Sequence, residues 1–210
     1  GADGQLTVQD SERVNLRGFA IVHFGSATAF LPGPLQDTYT GLLKRAREAG
    51  SIISFDPNYR ELLYHNKKAS FTQQARHFIE HCHFFKMSEE EALLITGSGS
   101  LDKAVARLAS ETGAVFAITL GQRGTMLSIN GQAEIIPSIP VSPVDTTGAG
   151  DAFVGAVLYQ LARFDSLSDL SADQWRKLIG NGNRAGAKTC EYMGAMEAFR
   201  HLDRALFSNT

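Results

Sequence analysis

Cysteine, long apolar runs and an excess of either charge are all scarce in this sequence, and each scarcity closes off a class of protein. Cys82 and Cys190 are the only two cysteines in 210 residues and stand far apart, so no disulfide framework is expected and the reducing cytoplasm is the natural compartment. Lysine and arginine number 20 against 22 aspartates and glutamates, a formal net charge of −2. Nucleic acid or an acidic membrane surface would call for a basic patch that this balance does not imply. No run approaches the roughly 18–20 apolar residues that span a bilayer, and the polar start Gly1 to Thr7 carries no cationic leader. There is no Gly-x-x-x-x-Gly-Lys-Ser/Thr loop and no Gly-x-Gly-x-x-Gly after an early strand, which removes P-loop and dinucleotide-binding signatures. A small dissolved ligand is the expected partner. The chain also begins without methionine and enters structure at once, which reads as a fragment or a processed product.

What is present points to an α/β protein. At 43% hydrophobic residues the chain can bury one sizeable core, so residues 1–210 are expected to form a single domain. The apolar run Phe19 to Phe24 reads as a strand covered on both faces, hence a central one. Pro34 and Gly50 bracket apolar residues at helical spacing, and Ser51 to Phe55 is a second strand that Asp56-Pro57 must end. Further helices are expected over 70–80, 89–95 and 102–111, with strands over 83–87 and 114–120. Alternation of this kind predicts a parallel sheet with crossover helices. Residues 124–129 and 133–136 instead predict an antiparallel hairpin turning through Asn130-Gly131. One apolar helical face follows Gly150, and helices are expected over 172–189 and 196–206. His81 and His83 would share a strand face, yet no further ligand pair accompanies them and no metal is expected there.

The stretch Asp145-Thr-Thr-Gly-Ala-Gly-Asp151 is a glycine-rich turn running straight into an amphipathic helix. Gly148 and Gly150 let backbone N–H groups converge, and the helix start adds partial positive charge at the same spot, so the turn suits a phosphate. Asp151 is out of place if the loop only binds an anion. It reads either as a first-turn acid favoured by the helix dipole or as a base that takes the proton of an attacking hydroxyl.

The nine residues Asp145 to Phe153 resemble the C-terminal motif of the ribokinase-like (PfkB) carbohydrate kinases. That resemblance implies Asp151 as catalytic base, with Gly148, Ala149 and Gly150 as the anion hole of the transition state. Four other segments fit in order. Phe55-Asp-Pro-Asn-Tyr-Arg60 resembles the strand-end motif of the fructokinase and ketodeoxygluconate kinase branch, implying that Asp56, Asn58 and Arg60 lie near substrate or phosphate; alone it could be a capped turn. Lys86 to Glu91 is similar to the family's Asn-x-x-Glu segment with Ser88 in place of Asn, implying Glu91 near magnesium and its water, though a solvated acidic first turn would look the same. Thr119-Leu-Gly-Gln-Arg-Gly124 resembles the nucleotide loop, implying Thr119, Gly121 and Gly124 at ATP. Asn183 to Ala187 and Thr189 to Ala195 resemble the helix and turn beside the adenine, which adds Asn183 to the ATP residues. Asp145 and Thr147 stand where the family holds potassium or another monovalent cation.

The resemblance as a whole implies a three-layer αβα, Rossmann-like ribokinase fold whose lid and first strands are absent from this chain. It implies ATP, magnesium and potassium as cofactors, and a keto-sugar, most readily fructose, as acceptor. Ketodeoxygluconate or a related sugar acid is the alternative, and a non-catalytic nucleotide-binding remnant is the other. A strand edge left without its partner predicts aggregation, a homodimer or pairing with a complementing chain.

Overall fold

The computed structural model of the chain describes residues 2–202. A short helix α1 (Val8–Glu12) precedes strand β1 (Ile21–Gly25), followed by α2 (Pro34–Glu48), β2 (Ile52–Asp56), α3 (Glu61–Tyr64), α4 (Lys68–His81) and β3 (Phe84–Ser88). Then come α5 (Glu89–Thr96), α6 (Leu101–Glu111), β4 (Val115–Thr119), the pair β5 (Thr125–Ile129) and β6 (Gln132–Ile136), α7 (Ala149–Leu161), α8 (Ala172–Thr189) and α9 (Ala195–Arg200). Among the described residues the strands form one six-stranded sheet in the order β1-β2-β3-β4-β5-β6. β1 pairs parallel with β2 and β2 with β3, whereas β5 and β6 are antiparallel. This is the mostly parallel αβα fold that the alternation of strands and helices predicts. No helix among the described residues is long and apolar enough to cross a membrane.

The chain divides into two compact units, residues 1–116 and 117–210, with the division inside β4. The first unit is built on β2, all five of whose residues are buried. α2, with Pro34 at its first turn, turns Leu35, Thr38, Leu43 and Ala46 inward, and α4 does the same with Phe71, Ala75, Phe78 and Ile79. Phenylalanine dominates this core. The Phe78 ring lies 5.2 Å from that of Phe55, 5.3 Å from that of Phe30 and 5.4 Å from that of Phe24, distances at which aromatic pairs add attraction beyond their buried area.

The second unit is centred on the packing of α7 against α8. Gly182 makes it possible, because a Cβ there would come within 2.9 Å of the Phe153 ring. Trp175, with 1% of its surface exposed, anchors the start of α8 directly after the Ser171–Gln174 capping box. In the hairpin, Asn130 (φ 50°) and Gly131 (φ 79°) both adopt left-handed backbone, as a two-residue turn between twisted strands requires.

Two expectations need correction. β1 was expected to be central, but it stands at one end of the strand order with His23 exposed. An apolar run reports what covers the faces of a strand, and neighbours along the sheet leave no trace in it. His81, expected on a strand with His83, is instead the last residue of α4. The helix expected over 196–206 begins at Ala195 and runs to Arg200, and residues 203–206 lie outside the described residues.

Candidate active site

A cavity of about 510 Å³ opens in the second unit, within the size range of small-molecule sites. Thr119, Gly121, Gly124 and Thr125 supply one wall, and the start of α7 supplies another through Ala149, Gly150 and Phe153. Asn183, Gly186, Ala187 and Cys190 of α8 and its end close it, together with Ser138, Ile139, Pro140, Val141 and Pro143 of the segment after β6. Of the residues expected at a nucleotide, Thr119, Gly121, Gly124 and Asn183 all line this cavity beside Ala149 and Gly150. The proline-rich segment 137–143 was missed. Its three prolines rule out a central strand, but nothing in the sequence says which surface they cover.

Gly148 caps α7 in left-handed backbone (φ 83°), and a Cβ there would meet the Ala195 Cβ at 2.5 Å. Only glycine fits. The N–H of Ala149 donates to the Thr146 carbonyl at 3.2 Å; those of Gly150 and Asp151, inside the first turn, have no acceptor within the helix and face outward as such groups must.

The two aspartates of the motif are placed very differently. Asp145 is tied down: Oδ1 accepts from the Thr147 N–H at 2.9 Å and the Thr147 hydroxyl at 2.7 Å, and Oδ2 accepts from the Gly194 N–H at 2.9 Å. Those bonds, led by the Thr147 N–H, hold its carboxyl below the usual aspartate value, so it stays ionised. The Cys190 carbonyl accepts from the N–H groups of Val144 and Asp145, joining the loop to the end of α8. Asp151, in the first turn of α7, is exposed and its carboxylate has no hydrogen bond or ion pair among the described residues.

Asn183 is fully engaged by the protein. Its Oδ1 accepts from the Thr125 hydroxyl, and its Nδ2 donates to the carbonyls of Ile136 at 2.9 Å and Pro137 at 3.2 Å. It borders the cavity by holding the exit of β6 in place.

The remaining candidates belong to the first unit. Asp56, the last residue of β2, is buried, with Oδ2 at 3.1 Å from Lys86 Nζ and Oδ1 accepting from the Asn58 N–H at 3.1 Å. Asn58 is left-handed (φ 46°) and Arg60 is exposed before α3. Glu91 is the third residue of α5 in a capping box with Ser88: Oε2 accepts from the Ser88 N–H and Oε1 from the Tyr59 N–H, each at 2.7 Å. It thereby fixes the turn that carries Asn58 and Tyr59. Lys86 was overlooked, although a lysine inside the run Phe84-Phe85-Lys86-Met87 could have signalled it, because a buried charge calls for a partner.

A match to the pfkB family carbohydrate kinase pattern covers residues 1–201. The chain belongs to the pfkB family of carbohydrate kinases. Among curated pfkB relatives, Fructokinase-1 of Zea mays is 32% identical over 199 residues, covering 93% of this chain and 60% of the relative. Among solved structures, a fructokinase double mutant from Vibrio cholerae O395, described as bound to fructose, ADP and potassium ion, superposes with a TM-score of 0.84 at 26% identity, over 99% of this chain and 65% of that one. An aminoimidazole riboside kinase from Salmonella enterica, complexed with aminoimidazole riboside and an ATP analogue, reaches 0.82 at 26% identity over 93% of this chain and 63% of that one. The pfkB chain described here therefore spans about three fifths of the length of the proteins it resembles.

Proposed function

We propose that residues 1–210 form the ATP-binding and catalytic part of a sugar kinase that transfers the γ-phosphoryl group of ATP to a primary hydroxyl of a keto-sugar, fructose before ketodeoxygluconate. The observation that carries this reading is the unpartnered Asp151 carboxylate in the first turn of α7. An acid kept clear of hydrogen bonds next to outward N–H groups fits a base better than a structural cap. In the transfer, the sugar oxygen forms its bond to phosphorus as the bond to the ADP oxygen breaks, and Asp151 takes the hydroxyl proton. The N–H groups of Gly150 and Asp151 offset charge on the transferring oxygens, while the cavity beside Thr119, Gly121 and Gly124 holds the nucleotide.

Magnesium would neutralise phosphate charge as the bond to ADP breaks. Glu91 suits a hydrated ion held through water, by the lone pairs that Ser88 and Tyr59 leave. Asp145, ionised and anchored, suits a monovalent cation together with Thr147. Asp56, Asn58 and Arg60 are assigned to the substrate and phosphate side, with Arg60 as the exposed cation. A cytoplasmic setting fits the two free thiols.

The test is a coupled ADP-release assay of the 210-residue chain with fructose or ketodeoxygluconate, magnesium and potassium, beside ATP calorimetry. Turnover with one sugar is expected, and Asp151→Asn is expected to lower kcat by ~10²–10⁴-fold, the usual contribution of a general base, with ATP affinity retained. ATP binding without turnover in the unaltered chain would identify a nucleotide-binding remnant. Equal loss of ATP affinity and turnover in Asp151→Asn would make Asp151 structural.

A further inference from the structure

The last two turns of α4 carry a cluster that the candidate active site does not use. His77, Glu80 and His81 stand at helical offsets of three and four, which places them on one face. One ligand atom from each lies within 4.8 Å of the other two. The rings of His77 and His81 are 4.6 Å apart, and none of the three residues lines the nucleotide cavity. The Nδ1 of His81 lies 2.7 Å from the His77 carbonyl oxygen. A carbonyl only accepts, so Nδ1 carries a proton and Nε2 is the ring nitrogen left for a metal. A backbone carbonyl orients metal-bound histidines in the same way.

We propose that His77, Glu80 and His81 form a surface site for a divalent transition cation of the zinc class. Two imidazoles and a carboxylate suit Zn²⁺ or Cu²⁺, whereas Mg²⁺ prefers an all-oxygen shell. With metal–ligand bonds of about 2.1 Å, ligand atoms of a tetrahedral ion stand roughly 3.4 Å apart, a separation that these side chains reach from 4.8 Å by rotation. Water completes the shell. The position helps, since His81 is the last residue of α4 and a cation there meets the negative end of the helix. Glu80 adds a favourable charge; Arg47 of α2, which acts on both His77 and His83, opposes it. A bound ion would tie one turn of α4 to the next just before the chain enters β3.

Zinc calorimetry and cobalt absorption on the 210-residue chain test the site, with a large excess of Mg²⁺ as competitor. One saturable equivalent is expected, with Mg²⁺ failing to displace it. His77→Ala and His81→Ala are each expected to weaken it by at least about tenfold, on the scale by which altered ligand surroundings change metal affinity. Zinc should raise the melting temperature of the unaltered chain and raise that of both variants less, and circular dichroism checks that the variants fold. The proposal is overturned by absence of saturable binding, by binding undiminished in both variants, or by displacement with Mg²⁺. None of these readouts depends on kinase activity.

Discussion

Asn183 uses both ends of its amide on the protein, which makes it a positioning residue: it holds the exit of β6 against α8 and so shapes one side of the cavity. Asn183→Ala would strand the Thr125 hydroxyl and two carbonyls, and leaving buried partners unsatisfied costs about 1–3 kcal/mol. Denaturant unfolding should show that loss, and kinetics should show a higher KM for ATP with kcat much less affected. Asp145 gives a prediction in pH. Its carboxyl is held below 3.8 in the fold, so its contribution is present above the unfolded value and disappears as pH falls through the folded one. Acid titration should loosen the loop only below about pH 3.8, and Asp145→Asn should flatten that step. At this scale the sequence was informative where the site is contiguous, as over 145–151, since one short turn contains its own geometry. It said little about Lys86 opposite Asp56 or Asn183 opposite Thr125, because those meetings depend on how distant segments pack.

Elements behaved according to how local their signals were. The bounds expected for α8 match those observed because its capping box and apolar period are self-contained, and Asn130-Gly131 announced the hairpin for the same reason. The short helices α1 and α3 were missed, being too brief to show a period. The α7–α8 pair is the element on which the site depends most, since it sets where the outward N–H groups point. Gly182→Leu would force the helices apart at Phe153, and overpacking of this kind costs about 1–3 kcal/mol. Thermal unfolding should record the loss, and ATP affinity should fall with it even though position 182 does not line the cavity. An unchanged affinity would show that the glycine turn over 148–151 is held independently of the helix contact.

At the scale of the whole molecule, β1 is the feature with the widest effect. It ends the strand order among the described residues, and Phe19 just before it has 52% of its surface exposed. An unpaired strand edge beside exposed apolar surface favours association with another chain. Sedimentation should therefore give a mass that rises with concentration for the 210-residue chain, and Phe19→Lys should reduce that rise. A monomer at all concentrations would argue that the edge is protected.

The bond between Asp145 and the Gly194 N–H spans 49 residues, and Ala195 closes over Gly148 from the same stretch. At a synthesis rate of about 5–20 residues per second, the ribosome needs on the order of 2–10 s to add the residues that complete this loop after Asp145 has been made. During that interval the glycine turn exists without its anchor, so its geometry is set only after Gly194 and Ala195 have been made.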